Sequence, residues 1–205
     1  MPRRTAYICG MQAEFEILKK IITERRTTKA ASMNGKVVPD EQIKEILALA
    51  NWAPTHGRTE PWRFFVYSGE GLVRFGQKHA DLYLGNTPEE KQNPDTPGKL
   101  QSATEMPSHA IIAVMKRGAN PKIPAIEEIA AASAALQNVL LGAEALGISA
   151  IWNSGGMTHS GALKAELGLG EEDVVLGLIY MGYTDEPKRE GKRNTSIEEK
   201  IIWEQ

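Results

Sequence analysis

Asn51-Trp52-Ala53-Pro54-Thr55-His56-Gly57-Arg58-Thr59-Glu60-Pro61-Trp62-Arg63-Phe64-Phe65-Val66-Tyr67 is the stretch on which the fold turns. Pro54 and Pro61 fix φ at two points and hold a loop of polar donors between them. Arg63–Tyr67 is short, aromatic and β-branched, and Ser68-Gly69 closes it, so it predicts a strand. A rigid polar loop running into an aromatic strand can line a flat aromatic ligand. Taken singly, His56 reads as a satisfied loop histidine, and Trp62, opening the strand, reads as core before cofactor platform.

Outward from this stretch, helices and strands alternate irregularly. Upstream, Pro39, Asp40 and Glu41 have the character of a helix first turn, and Ile43, Ile46, Leu47 and Ala50 supply one apolar face. Before that, Phe15, Leu18, Ile21 and Ile22 recur at helical spacing over Gln12–Ile22, and Asn34-Gly35 marks a loop. Downstream, a helix is expected over Gly71–Tyr83, then a mobile excursion or lid over Asn86–Gly98 punctuated by Pro88, Pro94 and Pro97. Ala110–Met115 is apolar throughout, as in a strand buried on both faces. A long alanine-rich helix over Ile126–Leu146 ends at Gly147; strands over Ile148–Trp152 and Val174–Tyr183 flank a helix over His159–Leu167. The last segment, Ile197–Trp203, is amphipathic and suited to packing on a partner subunit. The class is α+β with antiparallel pairings available. Residues 1–10 read as a loose leader and residues 11–205 as one domain.

Composition sets the bounds. The chain has 205 residues, 41% hydrophobic and 24% charged, with a net charge of -2. No global basic field argues for nucleic acid or an anionic membrane, so neither is expected as a partner. Cys9 is the only cysteine, which excludes an internal disulfide and suits a reducing, cytoplasmic setting. No stretch reaches the roughly 18 consecutive apolar residues of a membrane span. His56, His79, His109 and His159 are dispersed and nominate no metal site.

Arg25-Arg26-Thr27-Thr28-Lys29 follows the first helix. Alone, it reads first as a solvated helix end whose cations complement the C-terminal dipole. The other reading is a phosphate grip, with guanidiniums and a hydroxyl in charge-assisted bonds to an anion. Its neighbours favour the second. Arg25-Arg26-Thr27, then Ala53-Pro54-Thr55 with Glu60-Pro61-Trp62, then Trp152-Asn153-Ser154-Gly155-Gly156 after Gly147, then Leu178–Tyr183 followed by Pro187 and Lys192-Arg193, occur in register. In this set the chain resembles the nitroreductase family of flavoproteins, its small single-domain branch in particular.

The resemblance implies a nitroreductase-like fold, a central, mainly antiparallel sheet flanked by helices, with FMN at a homodimer interface. It implies that Arg25, Thr27, Lys192 and Arg193 share the FMN phosphate and that Arg26 lies on the adjoining phosphate or ribityl region. It places Lys29 at the pyrimidine edge of the ring, where a cation stabilises the reduced flavin. The turn around Trp152, Asn153 and Ser154 is expected to offer a backbone N–H toward flavin N5. Thr55, His56 and Arg58 are expected to reach the flavin from the opposite subunit.

The expected activity is ping-pong transfer of hydride from NAD(P)H through FMN to a small acceptor: a nitroaromatic, quinone or enone. No side chain is required as an obligatory acid or base; His56 is the candidate proton donor or substrate contact. Two features depart from the family pattern. Arg58 and Glu60 stand where Asn and Gln are usual, and Thr27 and Thr55 replace serines. The competing readings are a flavin-binding sensor or carrier with little turnover, and a hydrolase built on Ser154. Ser154 lacks the preceding glycine of a nucleophile elbow, and Gly168-Leu169-Gly170 runs into Glu171-Glu172-Asp173 rather than a dinucleotide fingerprint.

Overall fold

Strand β2, His109–Met115, is buried at every one of its 7 residues and forms the middle of the structure. The computed structural model describes the backbone of residues 2–204 and the side chains of residues 11–204. β2 pairs antiparallel with β1 (Trp62–Ser68) on one side and β4 (Val174–Gly182) on the other. β3 (Ser149–Asn153) pairs antiparallel with β4, giving a four-stranded sheet in the order β1-β2-β4-β3.

Side chains alternate along β2, and each face receives a helical layer. Ile111, Ala113 and Met115 pack with α2 (Asp40–Ala50) and α5 (Ala125–Ala145). Ala110, Ile112 and Val114 pack with Leu72 and Phe75 of α3 (Gly69–Asn86) and Leu163 of α6 (Gly161–Glu166). Two covered faces explain why β2 reads as an unbroken apolar run. On β4 the alternation slips at Gly177. Leu176 packs with the first face and Leu178 with the second, and the register with β2 shifts between Ala113 and Val114. The slip is a β-bulge.

The helix ends follow their sequences. Asp40 and Glu41 occupy the first turn of α2, and Glu127 and Glu128 that of α5, where carboxylates favour the N-terminal dipole. α5 stops in a Schellman arrangement: Gly147, at φ +70°, donates to Glu144 O at 3.0 Å, and Ile148 N donates to Ala143 O at 2.8 Å. Trp62, 6% exposed, lies in the core and donates Nε1–H to Asn51 Oδ1 at 3.1 Å, as the core reading requires.

The excursion expected over Asn86–Gly98 is more ordered than its composition suggests. Pro88 precedes a short turn at Glu89–Lys91, and Pro97 sits at the start of α4 (Thr96–Ser102), so two of its prolines begin helical turns. Gln92 Nε2 donates to the carbonyls of Leu84 and Thr87, and Asn93 N donates to Tyr83 Oη at 2.7 Å, which fastens the segment to α3.

The backbone falls into two compact units, Thr27–Glu186 and the pair Met1–Arg26 with Pro187–Gln205. The second unit contains α1, Pro2–Glu24, which begins ten residues before Gln12, where the helical pattern starts in the sequence. The expected loose leader is therefore helical in its backbone from Pro2; its side chains, and Met1, lie outside the described residues. Met11, Phe15, Leu18 and Ile22 lie along one face of α1, each about half exposed. Ile197–Trp203 forms only a single turn, Glu198–Lys200, because so short a run does not repay helix nucleation. Among the described residues no helix is long and apolar enough to cross a membrane.

Candidate functional site

Two of the predicted motifs meet at the edge of the sheet. Thr27 forms a parallel bridge with Ala150 of β3, and Thr28 N donates to Ala150 O at 3.1 Å. Because the pairing is parallel, the chain continues from Thr27 toward Lys29 in the same direction as β3 continues toward Trp152. This sets Lys29, which is exposed and caps the turn Ala30–Ser32, on the side of β3 that leads into Asn153 and Ser154.

Beyond β3 the chain makes a tightly bonded turn. Gly155 N donates to Asn153 Oδ1 at 3.1 Å, and Thr158 Oγ1 donates back to Gly155 O at 2.6 Å. Ser154 is exposed at its head. Met157 N donates to Nε2 of His79 at 2.9 Å, so α3 holds the far side of the turn. Trp152 crosses the bulge on β4: its Nε1–H donates to Leu176 O at 3.0 Å, and a Cβ on Gly177 would collide with its ring.

The loop carrying Thr55, His56 and Arg58 is a strained one. Gly57 adopts φ +58°, and two non-glycine residues, Arg58 at +55° and Glu60 at +42°, also lie in the left-handed region. These two are the residues that depart from the family pattern. Thr55 Oγ1 accepts the N–H of Glu60 at 3.3 Å and bonds Thr59 Oγ1 at 3.0 Å, closing the loop on itself. His56 Nδ1 lies 2.6 Å from Glu127 Oε2 at the start of α5. A carboxylate only accepts, so Nδ1 carries the proton and Nε2 is the acceptor of the neutral ring. His56 can then donate at Nε2 only as an imidazolium.

Glu128, one residue on and 1% exposed, accepts from Arg117 Nη1 and from Gly118 N at 3.1 Å. Arg117 Nη2 also donates to Ile123 O at 2.7 Å. Ile123 backs the loop, since a Cβ on Gly57 would stand 2.7 Å from its Cδ1. The first turn of α5 thus holds the His56 loop directly, through Glu127, and from behind, through Glu128. Sequence reasoning singled out neither Glu127 nor Glu128.

The remaining predicted residues belong to the smaller unit. Arg26 donates Nη1 to Thr23 O and Arg25 O and Nε to Arg189 O at 3.0 Å. A Cβ on Gly191 would collide with its guanidinium. Arg26 therefore ties the end of α1 to the segment bearing Lys192 and Arg193. Arg25 is half-buried, and Lys192 and Arg193 are exposed, with Arg193 Nη1 on Lys192 O at 3.0 Å. Arg25, Arg26, Lys192 and Arg193 thus lie on two short stretches that Arg26 fastens together.

A serine–histidine–aspartate chain occurs elsewhere. Ser108 Oγ lies 2.9 Å from His109 Nδ1, and His109 Nε2 lies 2.9 Å from Asp40 Oδ1. Ser108 is buried and its Oγ accepts Val38 N–H at 2.8 Å, so the chain staples α2 to β2 rather than presenting a nucleophile. Among the described residues no cluster of histidine, cysteine and carboxylates is placed to hold a metal ion.

A four-stranded antiparallel sheet between two helical layers, its edge strand extended by a parallel bridge, defines a nitroreductase-like α+β fold. The profile of the Nitroreductase family matches residues 22–183, and the chain belongs to that family. It is 30% identical to the "Putative NAD(P)H nitroreductase YdjA" of Escherichia coli K12 over 75% of this chain and 82% of that protein. The crystal structure of a nitroreductase-like family protein from Bacillus cereus superposes with a TM-score of 0.78 at 29% identity, covering 91% of this chain and 95% of that one. The FMN-dependent nitroreductase NfnB from Mycobacterium smegmatis, solved with NADPH, shares the fold at a TM-score of 0.67 and 16% identity, covering 94% and 100%.

Proposed function

We propose that this chain is an FMN-dependent oxidoreductase that takes hydride from NAD(P)H and passes it to a small acceptor, a nitroaromatic, quinone or enone, in a ping-pong cycle. The observation that carries the reading is the Thr27–Ala150 bridge, which runs Lys29 along the edge strand toward Trp152, Asn153 and Ser154. Bound FMN supplies the hydride-accepting ring, and the protein binds, orients and excludes water. Arg25, Lys192 and Arg193 would be the cations for the phosphate, with Arg26 beside them, and Thr27 is the hydroxyl that the resemblance adds. Lys29 would set a cation beside the pyrimidine edge of the ring, and the backbone of the Asn153–Ser154 turn would offer it an N–H toward N5. Thr55, His56 and Arg58 face the flavin of the other subunit in a homodimer. The names of YdjA and NfnB lend support to the choice of cofactor and donor.

The apolar face of α1 supports the dimer: Met11, Phe15, Leu18 and Ile22 form a stripe of the kind that marks an association surface. Titrating the purified protein with FMN while measuring its mass by light scattering tests the reading. One FMN per subunit and a dimer's mass are expected. A protein that takes up no added FMN contradicts the proposal. A dimer that binds FMN but does not turn over points to the sensor or carrier role instead.

A further inference from the structure

His79 is 1% exposed on α3, stacked against Phe75 with ring centroids 5.5 Å apart. Its Nε2 accepts the Met157 N–H at 2.9 Å. A backbone N–H only donates, so Nε2 is unprotonated and the ring's single proton sits on Nδ1. That Nδ1–H is buried and has no hydrogen-bond partner. An orphaned buried donor costs about 1–3 kcal/mol, a cost that a leucine filling the same space avoids. The imidazole is thus a poor choice for packing and a good one only for its acceptor.

What the acceptor holds is the turn after β3. Gly156, at φ +64°, runs so close to α3 and α4 that a Cβ would stand 2.6 Å from Leu100 Cδ2 and 3.0 Å from His79 Nε2. Asn153, Thr158 and Ser160 bond the turn internally, Ser160 Oγ donating to Met157 O at 2.7 Å. A unit so tightly bonded moves as one body, and the Met157 amide is the point where His79 grips it.

We propose that His79 is a positioning residue for the flavin: through the Met157 amide it sets where the Asn153–Ser154 backbone stands against the N5 edge of the ring. The proposal rests on the reading that this turn faces bound FMN. His79 touches no reacting atom and acts through the turn.

The test compares His79→Gln, whose amide oxygen reaches the place of Nε2, with His79→Leu, which fills the space without an acceptor. In the protein before FMN is added, exchange of the Met157 amide with deuterium is expected to quicken about ten-fold or more in His79→Leu and to stay near wild type in His79→Gln. After loading, His79→Leu is expected to bind FMN about ten-fold more weakly with altered visible circular dichroism of the flavin, and His79→Gln to restore both. Gly156→Ala, which crowds the same contact from the turn, is expected to reproduce the leucine signature with His79 in place, so the test survives if His79→Leu fails to fold. Wild-type FMN affinity and dichroism in His79→Leu or in Gly156→Ala overturn the proposal and leave the flavin reading intact. A wild-type protein that takes up no FMN overturns both.

Discussion

The indole of Trp152 lies against Gly177, where any Cβ would collide with its Nε1 and Cδ1, and its N–H reaches past to the Leu176 carbonyl at 3.0 Å. The bulge on β4 and the tryptophan on β3 are therefore one feature, and it fixes the strand end that leads into Ser154. Gly177→Ala is expected to destabilise the fold by about 1–3 kcal/mol, the range for forcing atoms into packed space. Denaturant melts followed by tryptophan emission measure both the loss and the displaced ring.

Acid is expected to weaken the fold through His79. Burial lowers its pKa to about 4 from the ordinary 6.5. The unfolded chain then binds more protons between those values, so stability is full above about pH 6.5 and falls as pH drops toward 4. The loss is on the order of 3 kcal/mol at most. Denaturation midpoints from pH 7 to 4 measure the slope, and His79→Gln is expected to flatten it.

Glu128 is buried and holds both Arg117 and the Gly118 amide. Glu128→Ala strands a buried guanidinium and is expected to cost about 3–5 kcal/mol, whereas replacing both partners by apolar residues recovers much of that. A double-mutant cycle in urea with Arg117→Met and Glu128→Leu separates the two outcomes.

Arg25→Ala is expected to weaken FMN binding about ten- to a hundred-fold, the worth of one or two charge-assisted bonds to phosphate. Arg25 is half-buried, so stability without FMN is expected to fall by only about 1 kcal/mol, too little to account for the loss of binding. Fluorescence titration with FMN, beside a melt of the FMN-free protein, reads both.

Glu127→Gln removes the carboxylate that holds His56 Nδ1. The pair is largely exposed, so the cost in stability is expected to be under about 1 kcal/mol. FMN binding and reduction by NAD(P)H are expected to persist, with the change confined to oxidation by the acceptor. Separate half-reaction measurements check this; an oxidative half-reaction left unchanged in Glu127→Gln contradicts the assignment of His56 as a proton donor or substrate contact.

The sheet was legible because β2 is covered on both faces and β1 is aromatic between turn residues; both patterns follow from local burial. Asp40 and Glu41 at the start of α2, and Gly147 at the end of α5, marked helix termini through the dipole and the left-handed cap. The start of α1 was not legible, since the apolar period read there begins only at Phe15. The ordering of residues 86–98 was hidden because prolines that begin helical turns look the same in sequence as prolines that break them. The cofactor motifs could be ordered along the chain, but the bridge from Thr27 to Ala150 joins positions far apart in sequence and leaves no local trace. Glu127, Glu128 and His79 act through partners on other elements, and their composition alone looks ordinary. Arg58 and Glu60 stood out as departures from the family pattern, yet only backbone geometry reveals that both are held at positive φ.

The central claim is that this protein carries electrons from NAD(P)H on FMN. Anaerobic mixing of the FMN-loaded protein with NADPH, and separately with NADH, tests it most directly. Bleaching of the visible absorbance band of oxidised flavin, restored by a quinone or nitroaromatic after the nicotinamide has been removed, is the predicted result. A flavin band that neither donor bleaches contradicts the account.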